Sequence, residues 1–366
     1  MAQQVYLDHN ATTPLHPEVR QAMRKAFDLH GNPSSIHGQG RRSREAVERA
    51  RMEVALLIGA KPEEIVFTSG GTEACNLALS GVDGPVVTSA MEHPAVLGAV
   101  SGRARLVAVD GHGRIDADDV ACALPGASRC SLQWANHEVG NLNPVQEVAR
   151  RCRSEGVPFF CDAVQAAGKV RIDVALVDVD LLALSAHKIF GPKGSGALFV
   201  RRGFELGSLL RGGHQEKGRR PGTENLIGIV GMGVACDLAR RELDARREVV
   251  CRLARRFEVG LLALGARLHG DRERRVPGTV NVAFAGVAGD AVVQALDLMG
   301  ICASTGAACT SGSVAASPVL LAMGVPEQAA LEAVRFSLGP DHTDEDIDHV
   351  VAALPRLLER IRRYED

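Results

Sequence analysis

Short apolar runs alternate with amphipathic stretches through the first half of the chain. Residues 64–68, 86–89, 106–109, 130–134, 157–161 and 180–184 are largely apolar, which predicts strands covered on both faces. Between them, Val47, Ala50, Val54, Leu57 and Ile58 recur at helical spacing and mark the buried stripe of a helix. This alternation of strands and helices predicts an α/β domain with a mainly parallel sheet.

The second half of the chain has a different pattern. A long helical region, about 232–264, carries dense charges on its outer face. It is followed by a strand at 279–284, a helix at 290–298, a strand at 333–337 and a final helix that begins near 344. This block predicts a smaller α+β domain. We expect residues 16–240 to form the large domain, and residues 1–15 with 241–366 to form the small one.

Composition narrows the range of functions. The chain has 366 residues, 46% of them hydrophobic, and its formal net charge of −2 gives no sign of nucleic-acid or anionic-membrane binding. No run approaches the roughly 20 apolar residues that span a bilayer, and the N-terminus lacks a basic stretch followed by an apolar one. The nine cysteines have neither CxxC nor zinc-site spacing. We therefore expect a cytoplasmic protein.

Polar residues follow three of the predicted strands, at the sheet edge where α/β proteins bind ligands. The segment 68–73 (TSGGTE) opens a helix with glycines, free N–H groups and a hydroxyl, which suit a phosphate, although such a turn can be a plain connection. Asp162 and Gln165 follow the strand 157–161, where Asp162 is alternatively a helix N-cap. Lys188 follows the strand 180–184, where desolvation makes an amine nucleophilic, although a surface charge is commoner there.

The three features together match one cofactor. Pyridoxal phosphate (PLP) needs a lysine for its aldehyde, a carboxylate for its ring nitrogen and a donor-rich helix start for its phosphate. Each of these groups occurs here at the end of a predicted strand. The sequence therefore predicts a Schiff base between PLP and Lys188.

Six segments resemble those of the group I cysteine desulfurases, which are PLP enzymes of the class V aminotransferase family. They are 8–14 (DHNATTP), 31–35 (GNPSS), 68–73 (TSGGTE), 162–165 (DAVQ), 185–188 (SAHK) and 335–339 (RFSLG), in the family's order. The resemblance implies the PLP-dependent transferase fold of type I, with a mainly parallel seven-stranded sheet flanked by helices, in a homodimer. It also implies conversion of L-cysteine to L-alanine, with the sulfur held as an enzyme persulfide.

The resemblance implies a role for each matching residue. His93 stacks on the cofactor ring and assists proton transfer, Arg335 with help from Asn32 binds the substrate carboxylate, and Thr223 reaches the phosphate of the partner subunit's cofactor. His137 stands where the family usually has an asparagine that contacts the cofactor's ring oxygen. Because histidine can also donate a hydrogen bond there, we expect the cofactor still to bind, with altered tuning of its ring. The remaining cofactor contacts are Gly71, Thr72, Ser185 and His187 at the phosphate, Asp162 at the ring nitrogen and Gln165 at the ring oxygen.

Cys309 decides which reaction is expected. It lies in 304–313 (STGAACTSGS), a run of small residues that resembles the nucleophile loop of the group I enzymes. On that resemblance, Cys309 takes the substrate sulfur and passes it to a thiol or to a sulfur-acceptor protein, such as an iron–sulfur scaffold or a tRNA-thiolation protein. Cys309 is also a candidate transient iron–sulfur ligand, and we expect no other metal site. A small buried cysteine in a turn is the alternative role.

Two other kinds of function stay open. The first is another enzyme of the same fold, a selenocysteine lyase or an aminotransferase, and an aminotransferase has no use for Cys309. The second is a non-catalytic sulfur carrier or iron–sulfur scaffold that uses its cysteines as ligands. The visible absorption of a Schiff base in the purified protein separates the enzymes from the scaffold.

Overall fold

The computed structural model describes residues 4–306 and 315–365, so Cys309 lies outside the described residues. In chain order, the first elements are β1 (Val5–Tyr6), α1 (Pro17–Ala26), α2 (Gly38–Ile58), β2 (Ile65–Thr68), α3 (Gly71–Leu79), β3 (Val86–Ser89), α4 (Pro94–Ala99), β4 (Ala104–Val107), α5 (Ala117–Ala123), β5 (Arg129–Gln133), α6 (Val145–Glu155), β6 (Phe159–Asp162), α7 (Val174–Val177) and β7 (Leu181–Ser185). They are followed by β8 (Gly196–Val200), α8 (Leu226–Arg241), α9 (Leu243–Ala263), β9 (Arg267–His269), β10 (Thr279–Ala283), α10 (Gly289–Asp297), β11 (Ile301–Cys302), α11 (Pro318–Ala322), α12 (Glu327–Leu331), β12 (Ala333–Ser337) and α13 (Asp344–Glu365).

A seven-stranded sheet in the order β2-β8-β7-β6-β5-β3-β4 forms the centre of the larger unit. Strand β8 runs antiparallel to both of its neighbours, and the other pairs are parallel. The fold class is therefore confirmed. Strand β8 was missed by the sequence pattern, although all five of its residues are buried.

Helices cover both faces of this sheet. The stripe predicted on α2 is confirmed, because Val47, Ala50, Val54 and Ile58 are buried. Helix α8 packs against α2 so closely that a Cβ at Gly233 would lie 2.6 Å from the Cα of Ala50, which explains why glycine is needed at this crossing. The helical region expected at about 232–264 is confirmed, and the structure divides it between two helices, α8 and α9.

A second hydrophobic core lies beside the first. The antiparallel sheet β12-β10-β9 and the parallel pair β1-β11 pack with α9, α10 and α13 around an edge-to-face pair of rings, Phe257 and Phe336, whose centroids are 5.0 Å apart. Val5 and Leu7 join this core from the start of the chain. The expected division into a large and a small domain stays a prediction.

The topology brings the candidate chemistry to one edge. Strands β5, β6 and β7 are neighbours and parallel, so their carboxyl ends lie side by side. Residues 8–13 run along this edge and connect to both cores, because His9 N donates to Ser337 O and Thr13 N donates to His187 O. None of the helices within the described ranges is long and apolar enough to cross a membrane.

Candidate active site

A cavity of about 310 Å³ lies at the carboxyl ends of β5, β6 and β7, beside the first turn of α3. This volume is within the range of small-molecule sites. Ten of the residues predicted for the site line it: Gly71, Thr72, His93, His137, Asp162, Gln165, Ser185, His187, Lys188 and Arg335. The lining is completed by Asn10, Ala11, Cys75, Gln133, Ala135 and Val164.

Lys188 lies in the 3₁₀ turn Ala186–Lys188 that directly follows β7. Its Nζ donates to the carbonyl oxygens of Asn10 and Ala11, the latter at 2.8 Å. These two carbonyls belong to the segment that connects both cores. The amine is therefore held at a defined position on the cavity wall, partly shielded from solvent.

Asp162 is the last residue of β6 and is only 7% exposed. Its Oδ1 accepts a hydrogen bond from Val164 N at 2.9 Å, but residues 164–169 form a turn, so the alternative role as a helix N-cap is wrong. The Cys75 thiol lies 3.7 Å from Oδ2. Burial raises the pKa of Asp162, while the hydrogen bond from Val164 and the charges of His137 and Lys188 lower it. A cationic partner in the cavity would favour the carboxylate, as a protonated ring nitrogen does.

The start of α3 lines the cavity through Gly71 and Thr72. The first N–H groups of a helix have no intrahelical acceptor, and the helix dipole there favours an anion. A larger residue in place of Gly71 would clash with Val164, because a Cβ at this position would lie 2.8 Å from Val164 Cγ2. Ser185 Oγ, which also lines this cavity, is buried without a hydrogen-bond partner among the described residues. The acid in this first turn, Glu73, is neutralised by Arg220 at 2.8 Å.

Two histidine rings meet in the cavity lining. The rings of His93 and His137 have centroids 5.4 Å apart at 70°. His93 Nδ1 accepts a hydrogen bond from Ala95 N at 3.1 Å, so the proton of the neutral ring is on Nε2. Burial, followed by the charges of His137 and Lys188, lowers the pKa of His93 to about 4. His93 is thus a neutral hydrogen-bond donor near pH 7.

Arg335 is held in place by the chain itself. Its guanidinium donates to Asp8 Oδ1 at 2.9 Å and to His137 O at 3.2 Å. The Nε of Arg335 is buried and has no partner among the described residues. The side chain is 4% exposed, so a carboxylate that reached it would interact in a largely water-free environment.

Two predicted residues lie away from this cavity, and a third is outside the described residues. Asn32 is exposed, and its Oδ1 accepts a hydrogen bond from Ser34 N at 2.8 Å, away from the cavity lining. Thr223 is exposed as well and does not line this cavity. Cys309 falls outside the described residues, so its predicted role is carried by the sequence alone. The roles of Asn32 beside Arg335 and of Thr223 at the partner subunit's cofactor stay predictions.

Asn10, Cys75 and Lys169 were not selected from the sequence. Asn10 lies in the quoted segment 8–14, but nothing local shows that its carbonyl binds Lys188. Cys75 lies one helical turn after Gly71 and reaches Asp162 only because α3 packs on β6. The side-chain amide of Asn136, which is adjacent to His137, is already hydrogen-bonded to the backbone. Its Nδ2 donates to Met91 O, and its Oδ1 accepts from Glu138 N and Val139 N.

The donor set fits PLP. Three buried polar atoms of the cavity, Ser185 Oγ, His137 Nδ1 and Arg335 Nε, lack protein partners within residues 4–306 and 315–365. Such atoms are costly to leave unpaired, so a polar ligand that satisfied them would be stabilised. No group of three or more His, Cys, Asp or Glu side chains suited to a metal ion occurs in the same ranges.

Comparison with known proteins agrees with this reading. Residues 5–350 match the family described as aminotransferase class-V. A protein of Klebsiella pneumoniae named cysteine desulfurase is 45% identical over 98% of this chain and 94% of its own length. A solved NifS-like protein superimposes with a TM-score of 0.92 at 32% identity, covering 98% of this chain and all of its own. A structure described as SspA in complex with cysteine gives a TM-score of 0.81 at 31% identity, over 93% and 100%.

The resemblance drawn from six short segments is thus confirmed across almost the entire sequence, by relatives that this chain covers nearly end to end. The chain belongs to the aminotransferase class-V family.

Proposed function

We infer that this protein is a PLP-dependent cysteine desulfurase, which converts L-cysteine to L-alanine and keeps the sulfur as a persulfide on Cys309. The observation that carries this inference is the convergence of Lys188, Asp162 and the start of α3 on one cavity. A relative named cysteine desulfurase at 45% identity supports the activity, and a relative described in complex with cysteine supports the substrate.

Bound PLP supplies an electron sink for the bonds at the substrate's Cα. Asp162 would hold the proton on the ring nitrogen, which is the role of a buried carboxylate facing a cation. Lys188 would provide the amine that holds the cofactor, and the same amine would move the proton of the substrate's Cα. Arg335 orients the substrate through its carboxylate, and His93 donates a hydrogen bond from Nε2 near the ring.

The sulfur step follows from thiolate chemistry. The Cys309 thiolate attacks the substrate sulfur, so that an S–S bond forms as the C–S bond breaks. The electron pair of the broken bond stays with the carbon skeleton, which takes up a proton and leaves as alanine. The enzyme sulfur is thereby oxidised to a persulfide while the carbon is reduced, and no further oxidant is needed.

Partners are proposed on the same basis. Thr223 contributes to the cofactor phosphate of the partner subunit in a homodimer, because it is exposed and lies outside the cavity of its own chain. The segment that carries it is attached to α3 by the pair Arg220–Glu73. The persulfide is passed to a sulfur-acceptor protein, such as an iron–sulfur scaffold or a tRNA-thiolation protein, in the cytoplasm.

Incubation with L-cysteine tests the activity. The PLP-loaded protein is expected to release alanine and, with a reducing thiol, sulfide in equal amounts. Lys188→Ala and Cys309→Ser are expected to lose this activity, whereas Cys302→Ser, which changes a cysteine of β11, is the matched control and keeps it. Alanine formation undiminished in Lys188→Ala would contradict the assignment, and full activity in Cys309→Ser would favour another enzyme of the fold.

A further inference from the structure

Lys169 is a half-buried lysine that the proposed chemistry does not use. Its Nζ donates to Asn10 Oδ1 at 2.7 Å and to Gln165 Oε1 at 2.8 Å. The preceding residue, Gly168, has φ of 70°, and a Cβ there would lie 2.9 Å from Ile189 Cγ2. The glycine allows the chain to turn tightly at this point, and the turn places the Lys169 ammonium against the sheet edge beside the cavity.

Lys169 determines which way the Gln165 amide faces. A lysine Nζ has only donors, so it must bind the oxygen end of the amide. The nitrogen end, Nε2, then donates to the carbonyl oxygen of Asn10 at 2.9 Å and retains a second N–H. Gln165 lines the cavity, so this remaining N–H is available to a ligand oxygen. Turned by 180°, the amide would place its NH₂ group against the lysine and its oxygen against a carbonyl.

Lys169 also fixes Asn10, which is the common partner of the network. Asn10 Oδ1 accepts from Lys169, and Nδ2 donates to Thr279 Oγ1 at 2.9 Å and to His137 O at 3.2 Å. The backbone carbonyl of the same residue accepts from Lys188 and Gln165. Lys169 is therefore linked through one residue to the amine that holds the cofactor.

The electrostatic setting agrees with this arrangement. Burial, followed by the charges of Lys188 and Arg335, lowers the pKa of Lys169 to about 7. A buried ammonium is costly unless it is hydrogen-bonded, and the two amide oxygens provide that compensation. If the side chain at position 169 only filled space, an apolar residue would do so at a lower cost in folding free energy than a lysine.

We propose that Lys169 is a positioning residue of the cofactor site, which directs the Gln165 N–H group towards the cofactor's ring oxygen and holds the Asn10 carbonyl at Lys188. The inference rests on the proposed cofactor site and adds a residue to it. Lys169 lies behind Gln165 and Asn10 and acts through them, without touching the cofactor itself.

A double-mutant cycle tests this role. Lys169→Met, Gln165→Ala and the double variant are compared with wild type by the visible absorption band of bound PLP, its pH midpoint and the dissociation constant for PLP. If Lys169 acts through Gln165, each single change shifts the band and weakens PLP binding about 10-fold, and the double variant is no weaker than the worse single one. Effects that multiply in the double variant, or a wild-type band in Lys169→Met, would overturn the proposal.

Lys193→Met is the matched control, because it removes one positive charge from an exposed position near His187 without touching this network. It is expected to keep the wild-type band and affinity, and a shift as large as that of Lys169→Met would contradict the proposal, since charge alone would then explain both. If Lys169→Met does not fold, Lys169→Gln enters the same cycle with the same two readings. A wild-type protein without any visible band would instead refute the cofactor assignment itself.

Discussion

The pair Arg335–Asp8 gives a prediction that separates stability from activity. Arg335→Met removes a guanidinium that is 4% exposed and leaves Asp8, whose side chain is 19% exposed, without its cationic partner. Breaking a buried pair from one side costs about 3–5 kcal/mol, and because Asp8 keeps some contact with solvent, we expect about 3 kcal/mol. Adding Asp8→Asn removes the unpaired carboxylate and should recover about 2 kcal/mol of the free energy of unfolding.

Activity should not follow stability in this series. The substrate carboxylate loses its charged partner in Arg335→Met, so kcat/KM for L-cysteine should fall about 100-fold, or about 2.7 kcal/mol, mainly through KM. Asp8→Asn should not restore it, since the missing group is the guanidinium. Burial already raises the pKa of Asp8 and Arg335 lowers it, so without Arg335 the carboxyl takes up a proton more readily. The loss of stability should therefore be smaller at pH 5 than at pH 8.

Urea unfolding of the cofactor-free variants and steady-state kinetics of the loaded ones measure the two quantities. A double variant no more stable than Arg335→Met would refute the electrostatic explanation. A double variant that recovers kcat/KM together with stability would refute the assignment of Arg335 to the substrate.

Three further predictions follow from the same structure. Because the pKa of His93 is lowered to about 4, this histidine takes up a proton in the unfolded chain before it does so in the folded one as pH falls below 6.5. The free energy of unfolding should therefore decline towards pH 4. His93→Gln should reduce the pH dependence of the free energy of unfolding by up to about 1.4 kcal/mol per pH unit in unfolding titrations. Gly140→Ala should destabilise the protein by about 2–4 kcal/mol, because φ is 80° and the new Cβ would lie 2.8 Å from Thr279 Cβ. Gly102→Ala is the control, because its φ is 76° but no atom lies within 4 Å of the new Cβ, and it should cost only about 1 kcal/mol. Equal losses of stability in the two variants would contradict the steric explanation. Phe257→Ala should cost about 3–5 kcal/mol in urea unfolding, since its ring is fully buried, and a loss below about 1 kcal/mol would contradict its place in the second core.

The larger fold could be predicted because parallel strands are buried on both faces and therefore read as apolar runs. Strand β8 was missed because Gly196 begins it directly after a glycine-rich stretch that reads as a loop. Strands β1 and β11 have two residues each, which is too short for any pattern. The break between α8 and α9 occurs at Glu242, where neither proline nor glycine interrupts the helical spacing.

The site could be predicted where chemistry follows a strand end, as at Asp162 and Lys188. Contacts between distant segments could not, since nothing local encodes them. Arg335 meets Asp8 across 327 positions of sequence, and Lys169 meets Asn10 across 159. These contacts follow from the packing of segment 8–14 between the two cores, which only the structure shows.

The mass of the protein after reaction with L-cysteine, in the absence of a reducing thiol, shows directly whether Cys309 receives the sulfur. We expect a gain of one sulfur atom, located by peptide mapping on Cys309, with an equal amount of alanine released. Lys188→Ala should show neither. Sulfur found on another cysteine, or alanine formed at the wild-type rate by Cys309→Ser, would contradict it.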